Sequence, residues 1–270
     1  MRKIEVGAAA NGDAVRLAYQ DIGNGPPVVL IHGWPFSHAM WTYQMEELPR
    51  HGLRVIAYDR RGFGHSSKPW DGYDYDTFAD DLRQLLDALD VRDATLVGYS
   101  MGGGEAVRYM ARHGGARVAR LVLLSSVTPY LGQGGDNFDH MIDALRRDWP
   151  DFLAAFGRQL FNIGTLKHPV SQATLDWMQS LALQASLKAT IDCVHAFAAT
   201  DFRQDLRSIA VPTLVMHGNA DQIVPLQASG ARTAELLQHA QYHVYEGGSH
   251  GVFITHKERL NQDLVRFIRE

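Results

Sequence analysis

The segment TLVGYSMGGGEAVRYM, residues 95–110, places a serine between a buried strand and a helix. Its first residues are apolar or β-branched, as in a strand covered on both faces, and the residues after Ser100 carry apolar side chains at helical spacing. Gly98 and Gly102 complete a Gly-x-Ser-x-Gly pattern, in which glycines allow close approach of the strand and helix backbones at a sharp turn. Such a turn exposes the serine hydroxyl, so we predict that Ser100 is a nucleophile.

A second Gly-x-Ser-x-Gly pattern occurs in GGSHG, residues 247–251. The residues behind it, GVFI, have an extended pattern, so no helix is expected to follow Ser249 directly. In this strand-to-helix arrangement an acidic residue and then a histidine come later in the chain than the nucleophile. After Ser249, however, His256 precedes Asp263. We therefore reject Ser249 as the nucleophile and predict that His250 is the general base for an earlier serine.

The acidic partner of the base is expected between Ser100 and His250 in the chain. Asp221 lies in TLVMHGNADQIVP, residues 213–225, where an apolar strand ends in turn residues. An aspartate there could accept a hydrogen bond from the Nδ1–H of the base, fix its tautomer and stabilise the imidazolium. Asp201 and Asp205 are rivals, but they lie in a helical, charged stretch without a preceding strand. A solvated structural role is expected for both, and Asp221 is predicted as the acid.

Two backbone N–H groups could stabilise an oxyanion beside Ser100. One belongs to Met101, the residue after the predicted nucleophile. The other is expected from the loop after an early strand, and VVLI at 28–31 runs directly into His32-Gly33-Trp34-Pro35. Pro35 has no N–H. We therefore predict that the backbone N–H groups of Trp34 and Met101 form the oxyanion hole.

Apolar strand-like runs alternate with amphipathic helical runs through most of the chain. The predicted strands are 28–31, 55–58, 95–98, 121–124, 213–217 and 242–245, and the predicted helices are 75–89, 102–112 and 226–238. Asp76 and Thr77 are alternative N-caps for the helix at 75–89. This alternation predicts an α/β fold with a mostly parallel central sheet flanked by helices.

Between about residues 128 and 200 the strand-like runs disappear and helical patterns replace them. We interpret residues 128–200 as a helical cap, or lid, inserted in a core made of residues 1–127 and 201–270. The cap is expected to cover one end of the sheet.

Composition excludes several other classes of protein. The 270 residues have a net charge of −4 and no block of like charge, which argues against nucleic acid or an anionic membrane as a partner. Cys193 is the single cysteine, so no disulfide forms within the chain and no Cys-rich metal site is expected. The N-terminal residues lack the apolar run of a signal peptide, and no run approaches the length of a membrane span. A cytoplasmic location is therefore expected.

Six segments together resemble the α/β-hydrolase superfamily, and more narrowly its cofactor-free haloperoxidase, arylesterase and perhydrolase branch. They are HGWP, YDRRGFGHS, YDTFADDL, GYSMGGGE, TLVMHGNADQIVP and GGSHG. The resemblance covers nearly the whole chain and is weakest between about residues 131 and 172. It implies Ser100, Asp221 and His250 as the catalytic triad, with Trp34 and Met101 as oxyanion donors.

The same resemblance implies an activity and its partners. The expected reaction is hydrolysis of small carboxylic esters through an acyl-enzyme, with hydrogen peroxide able to replace water and give a peracid that oxidises halide. No metal or organic cofactor and a homo-oligomeric assembly are implied. A lactonase, a lactamase or a C–C bond hydrolase would use the same triad, and a ligand receptor with slow turnover is an alternative from a different class.

Overall fold

The computed structural model describes residues 1–132, 135–165 and 170–270, and the side chains of residues 135 and 136 are not described. A single eight-stranded sheet forms the centre, with the strand order β1-β2-β4-β3-β5-β6-β7-β8. The strands are Arg2–Ala8 (β1), Ala14–Ile22 (β2), Pro27–Ile31 (β3), Arg54–Tyr58 (β4), Ala94–Tyr99 (β5), Val118–Leu124 (β6), Thr213–Gly218 (β7) and Ala240–Tyr245 (β8).

Strands β3 to β8 pair in parallel, and they contain all six strands predicted from the sequence. Every residue of β5 and of β7 is buried, because helices cover both faces of the sheet. Among these parallel strands only β8, at the edge of the sheet, is largely accessible to solvent. The predicted α/β class with a mostly parallel, helix-flanked sheet is confirmed.

An antiparallel hairpin at the N-terminus extends the sheet and was not predicted. Strand β1 pairs with β2, and β2 continues antiparallel onto β4. Both strands alternate exposed and buried residues over part of their length, in contrast to the continuous apolar runs of the parallel strands. The dipeptide Asn11-Gly12 between them is a typical hairpin turn signal and would have identified the pair.

Eleven α-helices occur in the described ranges. They are Thr42–Glu47 (α1), Tyr75–Ala88 (α2), Met101–His113 (α3), Gly135–Arg147 (α4), Trp149–Leu160 (α5), Gln172–Ala182 (α6), Leu187–Ala199 (α7), Arg203–Arg207 (α8), Gly230–Leu236 (α9), Val252–Thr255 (α10) and Lys257–Arg269 (α11). In the part of the chain that is described, no helix is both long and apolar enough to cross a membrane.

Three details of the helix predictions were wrong. Asp74, and neither Asp76 nor Thr77, caps α2, because its carboxylate accepts the Thr77 N–H at 2.9 Å. The residues GVFI, expected to be extended, lead into α10, since burial of the Val252–Ile254 side chains outweighs their β propensity. Helix α9 begins only at Gly230, several residues after the predicted start.

Helices α4 to α7 all lie between β6 and β7 in the chain, within the segment interpreted as a cap. Residues 133–134 and 166–169 of that segment lie outside the described residues. The division into a core of 1–127 and 201–270 and a cap of 128–200 stays a prediction.

Candidate active site

Ser100 occupies a strained turn between β5 and α3. Its backbone has φ 53° and ψ −119°, a conformation that L-residues rarely adopt. The helix begins at the next residue, and a Cβ on Gly102 would lie only 2.5 Å from the carbonyl oxygen of Ile31. The glycine therefore allows α3 to approach β3 closely. The turn has the geometry that the sequence predicted for a nucleophile elbow.

The three residues predicted as a triad form one chain of hydrogen bonds. Ser100 Oγ lies 3.0 Å from His250 Nε2, and His250 Nδ1 lies 2.6 Å from Asp221 Oδ2. All three side chains are buried. They meet because each follows the carboxyl end of a parallel strand, namely β5, β7 or β8, and these ends lie at one edge of the sheet.

The loop that carries His250 is held from two sides. The Tyr99 O–H donates to the carbonyl oxygen of His250 at 3.0 Å, and the two rings are 5.0 Å apart. On the other side the Ser249 hydroxyl accepts the N–H of Gly251 at 3.2 Å. Ser249 thus closes the loop of its neighbour. Two residues separate it from α10, and its backbone does not adopt the positive φ of Ser100, so this Gly-x-Ser-x-Gly pattern does not form a nucleophile elbow.

The carboxylate of Asp221 is surrounded by N–H groups. Burial raises the pKa of this carboxyl, but the electrostatic attraction of His250 and the hydrogen bonds from both His250 and His217 outweigh burial and hold the pKa well below its usual range. The backbone N–H groups of Ile223 and Val224 donate to Oδ1 at 3.0 and 2.9 Å. Asp221 is therefore ionised near neutral pH and is fixed in orientation.

The backbone N–H groups of Trp34 and Met101 donate to no acceptor among the described residues. Met101 is the first residue of α3, where N–H groups have no partner within the helix and the helix dipole is positive. A Cβ on Gly33 would come within 3.1 Å of Ser100 Cβ, so the loop that carries Trp34 lies directly against the elbow. The residues that carry both predicted oxyanion donors thus line one pocket together with Ser100.

A buried ion pair between Arg60 and Glu105 supports the loop that carries Trp34. Arg60 Nε lies 2.5 Å from Glu105 Oε2, and its terminal nitrogen donates to the carbonyl oxygen of His32 at 2.8 Å. The imidazole of His32 donates from Nδ1 to the carbonyl of Gly33 at 2.9 Å and accepts the N–H of Arg60 at 3.0 Å. Burial, together with the charge of Arg60, lowers the pKa of His32 to about 3. The ring is therefore a neutral, fixed support.

A pocket of about 780 Å³ opens above Ser100 and Met101. Helices α5 and α7 contribute aromatic side chains that meet Trp34 edge-on: Phe152 at 6.3 Å, Phe156 at 5.2 Å and Phe197 at 6.0 Å between ring centroids. Most of the lining is apolar, and polar side chains such as Arg203 and Arg232 also contribute to it. A largely apolar pocket with a few polar groups suits a small organic ligand. Sequence reasoning did not single out these residues, although the spacing of Phe152 and Phe156 would have placed both on one helix face.

The rival acids, Asp201 and Asp205, find no support in the geometry. Asp201 pairs with Arg203 at 2.5 Å, and Asp205 pairs with Arg108 at 3.0 Å. Both aspartates therefore belong to ion pairs, as a structural role requires. Within the described ranges, no group of three or more His, Cys, Asp or Glu side chains could hold a metal ion.

Comparison with known proteins agrees with this geometry. Residues 26–257 match the model of the α/β hydrolase fold family. The chain belongs to this family and, within it, to the non-heme haloperoxidase branch.

The relatives cover almost the whole chain. It is 42% identical to the non-heme chloroperoxidase CPO-A1 of Kitasatospora aureofaciens, over 96% of this chain and 98% of that protein. It is 35% identical to the bifunctional esterase/perhydrolase DCH of Acinetobacter calcoaceticus, over 98% of this chain and all of the relative. The crystal structure of a bromoperoxidase from Bacillus anthracis superposes with a TM-score of 0.95 at 40% identity, covering 100% of this chain and 99% of that one.

Proposed function

We propose that this protein is a serine hydrolase of small carboxylic esters that also forms peracids when hydrogen peroxide replaces water. One observation carries the proposal: the unbroken chain from Ser100 Oγ through His250 to Asp221, with distances of 3.0 and 2.6 Å, at the base of an apolar pocket. The relatives named as chloroperoxidases and as an esterase/perhydrolase support the same pair of activities.

The first half of the reaction forms an acyl-enzyme. His250 Nε2 takes the hydroxyl proton while Ser100 Oγ attacks the ester carbonyl carbon. The carbonyl oxygen becomes an oxyanion, which the N–H groups of Trp34 and Met101 stabilise, and loss of one such donor typically costs about 10²–10³ in kcat. The C–O bond to the alcohol then breaks as His250 returns the proton to the leaving oxygen. Asp221 stabilises the imidazolium throughout.

In the second half, water or hydrogen peroxide releases the acyl group. His250 removes a proton from the incoming oxygen, which attacks the acyl carbon, and the proton passes to Ser100 Oγ as the ester bond breaks. Water gives a carboxylic acid, and peroxide gives a peracid. The released peracid oxidises a halide ion in solution and is itself reduced to the carboxylic acid.

Replacement of the nucleophile tests the shared intermediate. Ser100→Ala is expected to abolish p-nitrophenyl acetate hydrolysis and peroxide-dependent bromination together, because both require the acyl-enzyme. Bromination that survived in this variant would show that the two activities do not share the intermediate. Steady-state turnover of the unaltered protein separates the hydrolase from a slow receptor, which would give a single acyl burst.

The homo-oligomeric assembly, the cytoplasmic location and the lack of a cofactor stay predictions from the sequence. Size-exclusion chromatography with light scattering measures the first directly.

A further inference from the structure

His217 is a fully buried histidine beside the acid that the proposed mechanism does not use. It lies on β7, four residues before Asp221. Its Nε2 is 2.8 Å from the carbonyl oxygen of Val224 and 3.2 Å from Asp221 Oδ2. The carboxylate of Asp221 is therefore flanked by two imidazoles, His250 on one side and His217 on the other.

The surroundings of the ring fix the position of its proton. Both atoms that face Nε2 are oxygens that only accept hydrogen bonds, so Nε2 must carry the hydrogen. Nδ1 has no hydrogen-bond partner in the described part of the chain, and it lies so close to Gly230 that a Cβ there would be only 2.6 Å away. A second proton on Nδ1 would be a buried, unpaired donor. His217 is therefore a neutral N–H donor and cannot replace His250 as a base.

The contact with Val224 ties His217 to the orientation of the acid. The N–H of Val224 donates to Asp221 Oδ1 at 2.9 Å, while the carbonyl of the same residue accepts from His217. The turn of residues 221–224 is thus held to β7 through one imidazole. The Nε2–H of His217 also faces Asp221 Oδ2, the oxygen that accepts the hydrogen bond from His250 Nδ1.

We propose that His217 is a positioning residue for the reaction: it holds the turn of residues 221–224 closed and aims Asp221 Oδ2 at His250. This inference rests on the proposed function, because it assigns His217 to the acid of that triad. His217 does not line the pocket, so its effect should appear in the chemical step and not in substrate binding.

Two substitutions of His217 distinguish the role of its N–H donor from the role of the volume that its ring fills. His217→Leu removes the N–H, whereas His217→Gln places an amide N–H near the position of Nε2. With p-nitrophenyl acetate, the Leu variant should lose about tenfold to a hundredfold in kcat, the range expected for a hydrogen bond within a charged network. Its KM should stay within about twofold of the unaltered protein, and the Gln variant should recover most of the kcat.

A double-mutant cycle tests whether His217 acts through Asp221. In an Asp221→Ala background, His217→Leu should cause little further loss, because no carboxylate remains to be positioned. Val215→Ala is the matched control, since Val215 is a buried residue on the same strand and the same face. It should lower the free energy of unfolding and leave the kcat of the folded protein unchanged.

The rate at which a fluorophosphonate labels Ser100 is the second readout, because labelling requires the activated serine and no turnover. The Leu variant should be labelled about tenfold to a hundredfold more slowly than the unaltered protein, and the Gln variant at nearly the normal rate. If the unaltered protein is labelled but shows no sustained turnover, the hydrolase proposal fails and the labelling rates still decide the role of His217. Equal losses in the Leu and Gln variants, or a full additional loss in the Asp221→Ala background, would overturn the inference.

Discussion

The indole N–H of Trp34 donates to the carbonyl oxygen of Thr190 at 2.9 Å, and this bond joins the loop after β3 to helix α7. The backbone N–H of Trp34 is a proposed oxyanion donor, while its side chain is held by the inserted helices. The position of the donor therefore depends on the segment that also forms the pocket wall.

Trp34→Phe is expected to weaken catalysis more than binding. The variant keeps an aromatic ring but loses the bond to Thr190, so kcat should fall by about threefold to tenfold, in line with the loss of one hydrogen bond. Trp41→Phe is the matched control, because Trp41 is equally buried and its indole nitrogen has no partner among the described residues. Comparable losses of kcat in the two variants would show that the bond to Thr190 is irrelevant to turnover.

Asn162, in the segment between β6 and β7, is bonded to the loop that carries the proposed acid, Asp221. Its side-chain amide donates to the carbonyl oxygen of Ala220 at 2.6 Å, and Leu160 in the preceding helix accepts the N–H of Gly251 at 2.9 Å. Asn162→Gly removes the amide and tolerates the left-handed backbone at φ 50°. We expect kcat for p-nitrophenyl acetate to fall by about fivefold to tenfold, because Asp221 loses a nearby anchor.

Thr165→Val is the control for this prediction. The Thr165 hydroxyl donates to the carbonyl oxygen of Asn162 at 3.0 Å, so its loss disturbs the same turn without touching either catalytic loop. This variant should keep normal turnover. If the kcat of Thr165→Val fell as far as that of Asn162→Gly, the anchoring role of Asn162 would be rejected.

The free energy of unfolding should depend on pH through His32. The pKa of His32 is lowered from 6.5 to about 3 in the folded protein. Between pH 6.5 and about pH 3, the imidazole is therefore protonated in the unfolded chain and neutral in the folded protein. The contribution of His32 to the free energy of unfolding is fully present above about pH 6.5. Below that pH it falls by about 1.4 kcal/mol per pH unit.

Urea unfolding of the unaltered protein and of His32→Gln, measured at several pH values between 7 and about 4, checks this expectation. Glutamine retains an acceptor for the Arg60 N–H and does not titrate. The slope of unfolding free energy against pH should therefore decrease by about 1.4 kcal/mol per pH unit, which corresponds to one proton. Parallel slopes in the two proteins would mean that His32 is not the responsible group.

Phe152 is expected to limit the size of the acyl group. Its ring stacks on Phe156 at 6.4 Å between centroids and lines the pocket next to Trp34. Phe152→Leu shortens the wall, and the kcat/KM ratio for p-nitrophenyl butyrate over acetate should rise by about threefold to tenfold. Phe267→Leu, in α11 and away from the pocket, should leave the ratio unchanged. An unchanged ratio for Phe152→Leu would place the acyl group elsewhere in the pocket.

Local patterns explain why much of the site could be predicted. The continuous apolar runs of β5 and β7 and the glycines around Ser100 are short-range signals, and parallel strands bring the residues after their carboxyl ends together. The positions of Ser100, Asp221 and His250 follow from these signals and from chain order.

Contacts between distant segments leave no such signal. Trp34 and Thr190 are 156 positions apart, and the bond between them runs to a backbone carbonyl, which any residue could supply. In the same way, burial decided that Val252–Ile254 form a helix although their side chains favour strands. The N-terminal hairpin is a different case, because its Asn-Gly turn was visible and its strands were too weakly apolar to stand out.

The order of the catalytic elements along the chain has a consequence for biosynthesis. Ser100 and His250 are 150 residues apart, and helices α4 to α7 separate the strand that precedes Ser100 from the strands that precede Asp221 and His250. A ribosome completes the elbow while neither the proposed acid, Asp221, nor the proposed base, His250, has yet been made. In the proposed mechanism the serine therefore stays unactivated during most of translation, and it can take an acyl group from an ester only when residue 250 has emerged and β7 and β8 have joined the sheet.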